Sequence, residues 1–150
     1  MARIKFPRLS VRAVIVEHGK LLLVNAYPGN ASDLWCAPGG GVEANQSLPD
    51  NARREVFEEL GVEIEVRGLL GVNEFHAPDG SFHQVDLFFR AQLIGEMPST
   101  WSDVDGVVNR AAWVAEADLP SYRHKPDTLG HMAFHGGEGV PYDPLETIVS

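Results

Sequence analysis

The chain is poor in cysteine and has no long apolar run. Its one cysteine, Cys36, rules out a disulfide within the chain and favours a reducing, cytoplasmic location. No apolar stretch approaches the roughly 20 residues that a membrane-spanning helix needs. The basic start at residues 1–8 is not followed by the apolar segment of a secretory signal. These absences predict a cytoplasmic protein that does not bind membranes.

Positive charge is also scarce. Lys and Arg number 12 against 21 Asp and Glu, which gives a formal net charge of −9. Nonspecific binding to nucleic acid depends on clustered cations, so it is not expected here. A phosphorylated small molecule is compatible with the charge, because a metal ion can bridge an acidic site to an anionic ligand.

The rest of the composition is that of an ordinary globular protein, with 44% hydrophobic and 22% charged residues. A chain of 150 residues is long enough for one domain with its own core. Short apolar runs bounded by turn signals indicate strands. The predicted strands cover residues 11–16, 21–24, 35–37, 63–66, 69–75, 84–93 and 112–115. With one strong helix, they predict a mixed α/β domain that covers residues 1–150.

Three carboxylates share one face of that helix, which is expected to begin after Ser47 and to end at Gly61. Glu55, Glu58 and Glu59 stand at positions i, i+3 and i+4. Like charges at this spacing destabilise a helix by about 0.2–0.5 kcal/mol per pair unless a cation lies among them. Mg²⁺ is a suitable cation because it takes oxygen ligands. The face therefore predicts a metal site for Mg²⁺, with Mn²⁺ as a substitute.

A glycine-rich loop precedes the helix. Pro38 is followed by Gly39, Gly40 and Gly41, whose backbone can approach a ligand closely. The carbonyl groups of the loop are available to a metal ion, and its N–H groups favour phosphate together with the N-terminus of the helix.

Residues 40–62 resemble the signature of the Nudix hydrolases. That signature is Gly, five residues, Glu, seven residues, then Arg-Glu-aliphatic-any-Glu-Glu-any-Gly-aliphatic. Gly40 matches the first position, and residues 54–62 match the whole closing run. The one departure is Gln46, which stands where the family has its first Glu. Gln keeps the size and the hydrogen-bonding reach of Glu but lacks its charge.

The resemblance implies a fold and a set of metal ligands. The fold would be the Nudix α/β/α sandwich, with a mixed β-sheet and the signature loop and helix, over residues 8–120. One or more Mg²⁺ ions would be held by Glu55, Glu58, Glu59 and the carbonyl of Gly39, with Glu58 and Glu59 as the central ligands. Arg54 would pair with a signature carboxylate and hold it in place.

Many members of the family also carry a general base on a loop before the last strand. The corresponding stretch here is residues 101–106. Asp105 is the first candidate and Asp103 the second, while Glu96 lies further from the strand. A metal-polarised water that needs no dedicated base would also serve.

Substrate-binding residues are drawn from the strands and loops around the signature. Phe75 and Trp101 are the candidates for stacking on a base, and Arg12 in the first strand is a candidate for contacting a phosphate or the distal group. The backbone of Gly40 and Gly41 would contact phosphate. Pro78 stands sixteen residues after Val62, as in some Nudix enzymes that act on ADP-ribose, although it also suits a turn.

The implied reaction is hydrolysis of the pyrophosphate bond of a nucleoside diphosphate linked to another moiety, of ADP-ribose or sugar-nucleotide type. One alternative is hydrolysis of nucleoside triphosphates, including oxidised ones, to monophosphate and pyrophosphate. Another, motivated by Gln46, is a non-catalytic nucleotide-binding regulatory module.

Residues 121–150 are a Gly- and Pro-rich tail that differs from the long final helix of many Nudix proteins. Gly and Pro break extended helices, although residues 127–134 suit a short one. His131 and His135 are four residues apart but lack an evident third ligand, so they are expected to be surface or packing residues. The tail is expected to pack across the substrate pocket or against a second copy in a homodimer.

Overall fold

A computed structural model describes residues 6–149. Residues 1–5, which belong to the basic start of the chain, and residue 150 lie outside the described residues. The strands in this range are β1 (Arg8–Glu17), β2 (Lys20–Asn25), β3 (Trp35–Cys36), β4 (Gly39–Gly41), β5 (Glu63–His76), β6 (His83–Ile94) and β7 (Ala111–Ala115). The helices are α1 (Leu48–Leu60) and α2 (Leu129–His135), with a 3₁₀ helix at Glu116–Ser121. No helix within residues 6–149 is both long and apolar enough to cross a lipid bilayer.

The strands form one mixed sheet. Its main order is β3-β2-β1-β6-β5, while β4 pairs with β1 and β7 pairs with β2. β1 and β6 are parallel, from Arg8 beside Gln84 to Ile15 beside Ala91, and the other pairs are antiparallel. Since successive side chains of a strand point to opposite faces, β1 and β6 contribute alternate residues to two separate layers.

A helix covers each face of the sheet. The core on the α1 face contains Val11, Ala13, Ile15, Leu22, Val24, Ala52, Val56, Leu60 and Phe89. The core on the α2 face contains Val14, Leu21, Leu23, Phe88, Val114, Leu129 and Met132. The predicted α/β/α sandwich with a mixed sheet is therefore confirmed.

The ends of α1 follow from the capping residues. The hydroxyl of Ser47 accepts a hydrogen bond from the N–H of Asp50 at 3.1 Å. At the other end Gly61 adopts a left-handed conformation with φ of 67°, and its N–H donates to the carbonyl of Phe57 at 2.8 Å. The signature helix thus has the predicted limits.

β5 differs from the expectation of two strands at residues 63–66 and 69–75. It is one strand, with bulges between Val66 and Gly71. The tail crosses the strand there, and the N–H of Val140 donates to the carbonyl of Leu69 at 2.8 Å. A Cβ on Gly68 would lie 2.2 Å from the carbonyl oxygen of Glu138, so glycine allows this close approach.

The tail packs along the β3 edge and on both faces of the sheet, with α2 on one face and Tyr142 against Phe89 on the α1 face. The N–H of Trp35 donates to the carbonyl of Arg123 at 2.8 Å, and the N–H of Lys125 donates to the carbonyl of Trp35 at 3.3 Å. A guanidinium nitrogen of Arg90 donates to the last carbonyl groups of α2, at 2.7 Å from Met132 and 3.2 Å from Ala133. The guanidinium of Arg90 thus provides hydrogen-bond donors for carbonyl groups at the end of the helix, which have no partner within the helix.

Candidate active site

α1 presents its carboxylates toward the glycine loop of residues 38–41. The sequence predicted a loop there, but Gly39–Gly41 form the short strand β4, which pairs with β1. Glu55 and Glu59 are 9% and 8% exposed, and Glu58 is half-buried. One carboxylate oxygen each of Glu55, Glu58 and Asp105 lies within 4.8 Å of the other two. Oxygens at this separation suit a single hard cation. The residues present therefore fit a divalent metal ion.

The loop before β7 carries Asp105 to this cluster. The buried carboxylate of Asp103 accepts hydrogen bonds from the N–H of Asp105 at 3.0 Å and from those of residues 107 and 108 at 3.1 and 2.8 Å. The N–H of Val104 donates to the carbonyl of Glu58 at 3.1 Å, which ties the loop to α1. Asp103 therefore shapes the loop, while Asp105 faces the helix carboxylates.

Arg54 links the helix carboxylates to the glycine loop. One guanidinium nitrogen donates to Glu55 at 2.8 Å and to Glu58 at 3.4 Å. Another donates to the carbonyl of Gly41 at 3.1 Å and to the side-chain oxygen of Asn51 at 2.8 Å. These are the contacts expected of a residue that orients a carboxylate.

Gln46 lies at the edge of this network. Its side-chain oxygen accepts a hydrogen bond from Nε of Arg54 at 3.4 Å, and its amide nitrogen donates to the carboxylate of Glu43 at 3.1 Å. The neutral amide therefore contacts Arg54 where the family has a carboxylate, and it contacts an acidic neighbour at the same time.

Glu59 lies beside the cluster and accepts a hydrogen bond from the N–H of Gly39 at 3.4 Å. Burial raises the pKa of Glu59 to about 8; Arg12 acts against this rise, while Asp103 and Glu55 add to it. Burial also raises the pKa of Glu55. With a pKa of about 8, Glu59 holds a proton at neutral pH when no cation is near, and a divalent cation would replace that proton.

The glycines of the loop leave no room for side chains. A Cβ on Gly40 would lie 2.3 Å from a carboxylate oxygen of Glu55. Gly39 has φ of 154°, and a Cβ there would lie 2.0 Å from the carbonyl oxygen of Val11. Glycine therefore allows close approach to Glu55 at position 40 and to the backbone of β1 at position 39.

Two cavities adjoin each other and share Arg8, Arg12, Ala26 and Cys36 in their walls. The acidic cleft, of about 200 Å³, contains Glu55, Glu59 and Asp105 together with residues 39–41. A larger cavity of about 630 Å³ lies on the α2 face of the sheet, within the size range of small-molecule sites. Its aromatic lining residues are Tyr27, Phe75, Phe82 and Phe88. Residues of the tail, at positions 123, 125 and 126, form part of its wall.

Arg12 lies between the two cavities and lines both. Its guanidinium donates to the carbonyl of Ala37 at 3.2 Å and to that of Gly39 at 3.5 Å. The Gly39 carbonyl that the sequence assigned to the metal therefore already has a partner. Cys36 lines both cavities too, and burial raises the pKa of its thiol, which disfavours the reactive thiolate.

The structure thus brings most of the predicted site residues together. Phe75 lines the larger cavity. Trp101 lines neither cavity and packs against the core on the α1 face. Glu96 is exposed and is also outside both cavities.

Sequence reasoning missed Arg8, Gln84 and Asp86, which line the larger cavity. A signal was present, since polar residues alternate with apolar ones at the start of β1 and β6. That pattern assigns these residues to one face of their strand, but it does not reveal which other strand lies beside it.

An α/β/α sandwich whose glycine loop and signature helix form an acidic cleft defines a class of hydrolases that generally use divalent metal ions. The chain belongs to the Nudix family, because the model of the NUDIX domain matches residues 6–133. The resemblance read from residues 40–62 and the prediction of a Nudix hydrolase are confirmed.

Three similar proteins illustrate the match. Phosphatase NudJ of Escherichia coli strain K12 is 33% identical over 113 residues, which cover 75% of this chain and 71% of that protein. The human protein named Nucleoside diphosphate-linked moiety X motif 6 is 33% identical over 81 residues, or 54% of this chain and 26% of that protein. The chain thus spans about a quarter of the length of this human relative. A solved UDP-X diphosphatase has a TM-score of 0.70 and 25% identity, with 92% of this chain and 68% of that one covered.

Proposed function

We propose that the protein hydrolyses, with Mg²⁺, the pyrophosphate bond of a nucleoside diphosphate linked to another moiety, of ADP-ribose or sugar-nucleotide type. The observation that carries this proposal is the junction of the two cavities, which share Arg8 and Arg12. A diphosphate would occupy the acidic cleft, and an organic group attached to it would extend into the aromatic-lined cavity. The names of the human relative and of the solved UDP-X diphosphatase support the same substrate class.

The side chains have distinct roles in this reaction. Glu55 and Glu58 are suited to hold the ion, with Glu59 and the Gly39 carbonyl as the further ligands that the family resemblance implies, and Asp105 lies in the same cluster as Glu55 and Glu58. When bound, Mg²⁺ lowers the pKa of the attacking water and offsets negative charge on the phosphates.

The residues around the ion orient the reacting groups. Arg54 keeps Glu55 in position, and Asp105 is our first candidate to accept the proton of the attacking water. Arg12 and the N–H groups of Gly40 and Gly41 would contact phosphate oxygens, and Phe75 would stack on a base. Water adds to one phosphorus, the bridging P–O bond breaks, and two phosphate monoesters leave.

A panel of nucleotides with Mg²⁺, resolved by product chromatography, tests the proposal. We expect ADP-ribose or a nucleotide sugar to give a nucleoside monophosphate and a phosphorylated second product. Release of inorganic pyrophosphate from triphosphates alone would favour the triphosphate alternative instead. Binding of nucleotide without any product, even at high enzyme concentration, would favour the regulatory module.

Two substitutions test the assigned cluster. Glu58→Gln and Asp105→Asn should each lower kcat by roughly 10²-fold or more, because the metal contributes several kcal/mol of barrier reduction. EDTA should abolish turnover, and Mg²⁺ or Mn²⁺ should restore it. Glu65→Gln is the matched control, since Glu65 is exposed on β5. Full activity of Glu58→Gln in EDTA would exclude the mechanism.

A further inference from the structure

Four polar side chains form a chain of contacts across the parallel strands β1 and β6. Arg8 donates a hydrogen bond to the side-chain oxygen of Gln84, beside which it lies in register. The amide nitrogen of Gln84 donates to Asp86 at 2.9 Å, and the same carboxylate oxygen lies 3.8 Å from Nε of Arg12. Alternate residues of a strand share a face, so the four side chains lie on one side of the sheet. This side is the floor of the larger cavity.

The two arginines differ in the charge of their partners. Arg12 has the buried carboxylate of Asp86 as a neighbour. Arg8 is held by a neutral amide, and within residues 6–149 no carboxylate lies within 4.0 Å of its guanidinium. An amide orients a guanidinium without neutralising it. The positive charge of Arg8 is therefore available to a ligand.

The position of Arg8 depends on the glycine loop. A Cβ on Gly41 would lie 2.8 Å from a terminal guanidinium nitrogen of Arg8, so the side chain lies directly over this glycine. Arg8 also lines both the acidic cleft and the aromatic cavity. An anion that contacts Arg8 would lie at the boundary between the two.

We propose that Arg8 is a specificity-determining residue that binds the phosphate group nearer the aromatic cavity, to which the organic group is attached. Gln84 is a positioning residue that orients Arg8, and Asp86 fixes the amide of Gln84. The fork of a guanidinium matches two oxygens of one phosphate, a geometry that Lys cannot reproduce. This inference rests on the proposed function. It narrows the preferred substrates to diphosphates that carry an organic group on the cavity side.

Arg8 contacts a charge that the substrate carries both before and during the reaction. Its loss should therefore raise KM and leave kcat nearly unchanged. Arg8→Ala should raise KM by about 10-fold or more, as expected for a charge-assisted hydrogen bond, and Arg8→Lys should recover part of the loss. Gln84→Glu should also raise KM. The new carboxylate would still accept the hydrogen bond of Arg8, but it would neutralise the charge of Arg8. In the double variant Arg8→Ala with Gln84→Glu, the two effects should not add.

A matched pair on the same sheet provides the control. Arg67 on β5 donates to the side-chain oxygen of Gln92 on β6 at 2.5 Å, and both lie outside the two cavities. Arg67→Ala and Gln92→Glu should leave KM unchanged. If the wild type is active and Arg8→Ala has the same KM, the role of Arg8 is overturned while the proposed function stands.

Direct binding separates this inference from the proposed function. Calorimetric titration with ADP in EDTA requires no turnover, and Arg8→Ala and Gln84→Glu should both bind ADP at least several-fold more weakly than the wild type. If the wild type cleaves no nucleotide with Mg²⁺ but these variants still lose ADP affinity, the proposed reaction fails and the role of Arg8 holds. Equal ADP affinity in the wild type and both variants would overturn the role of Arg8.

Discussion

At the scale of single residues, Gln46 is a neutral side chain between charged ones. It accepts a hydrogen bond from Arg54 and donates one to Glu43. Arg54 keeps its contacts with Glu55, Glu58 and Gly41 in the presence of this amide. The departure from the family signature therefore leaves the orienting arginine attached to both the helix and the loop.

The variant Gln46→Glu measures what the missing charge contributes. A carboxylate should strengthen the bond from Arg54, because hydrogen bonds between charged groups are stronger than neutral ones. We expect a several-fold rise in kcat, which corresponds to about 1 kcal/mol, with no change in substrate preference. The double variant Gln46→Glu with Glu43→Gln removes the new repulsion from Glu43 and should be at least as active. A large fall in kcat for both variants would mean that the amide itself is required.

At the scale of structural elements, the loop of residues 101–108 depends on one buried carboxylate. Asp103 accepts three backbone N–H groups, and the same loop is tied to α1 through Val104. Asn25 on β2 holds the end of the loop, since its oxygen accepts the N–H groups of residues 109 and 110 at 2.9 Å. The loop is therefore held on two sides, and Asp105 projects from its middle.

Asp103→Asn should disturb this loop more than the fold. One oxygen becomes an NH₂ group that faces backbone donors, which costs about 1–3 kcal/mol of unfolding free energy. Because Asp105 loses its support, the affinity for Mg²⁺ and kcat should fall as well. Urea unfolding and Mg²⁺ titration measure the two effects. Asp79→Asn is the control, since Asp79 accepts one N–H in an exposed turn, and an equal loss of Mg²⁺ affinity there would contradict the idea.

Elements with a local signal could be predicted, and pairings between distant segments could not. Ser47 and Gly61 set the ends of α1 through contacts a few residues away, so the sequence alone located the helix and its acidic face. The contact of Arg8 with Gln84 joins positions 76 residues apart, and strand periodicity does not specify the neighbouring strand. Loops have no periodicity at all, so the sequence did not reveal that Trp101 packs into the core.

At the scale of the whole molecule, the net charge of −9 conceals a separation of charges at the site. Carboxylates line the cleft beside α1, whereas Arg8 and Arg12 stand where the cleft meets the aromatic cavity. A divalent cation and an anionic diphosphate together would neutralise both groups. Without the cation, Arg54 offsets part of the charge of Glu55 and Glu58, Arg12 acts on Glu59, and a bound proton is a further source of compensation.

The burial of Glu59 links stability to pH. Its pKa is raised from 4.5 in the unfolded chain to about 8 in the folded protein, mainly by burial. The folded state therefore binds the proton more tightly. The stabilisation of the folded state by this proton is complete below the pKa of the unfolded chain. It is lost as the pH rises through the pKa of Glu59 in the folded protein. Each pKa unit corresponds to about 1.4 kcal/mol, so the expected loss is of the order of a few kcal/mol.

The last prediction is that Mg²⁺ opposes this loss. Metal-free protein should become less stable to urea between about pH 5 and about pH 8, whereas Mg²⁺ should stabilise it more strongly as the pH rises, because the ion competes with the proton and binds the folded state. Glu59→Gln should remove most of the dependence of the unfolding free energy on pH in EDTA. Glu55, whose pKa is also raised by burial, acts in the same direction. The exposed-site control Glu65→Gln should keep the full slope. A flat profile for the wild type in EDTA, or an unchanged slope in Glu59→Gln, would show that Glu59 does not hold a proton in the empty cleft.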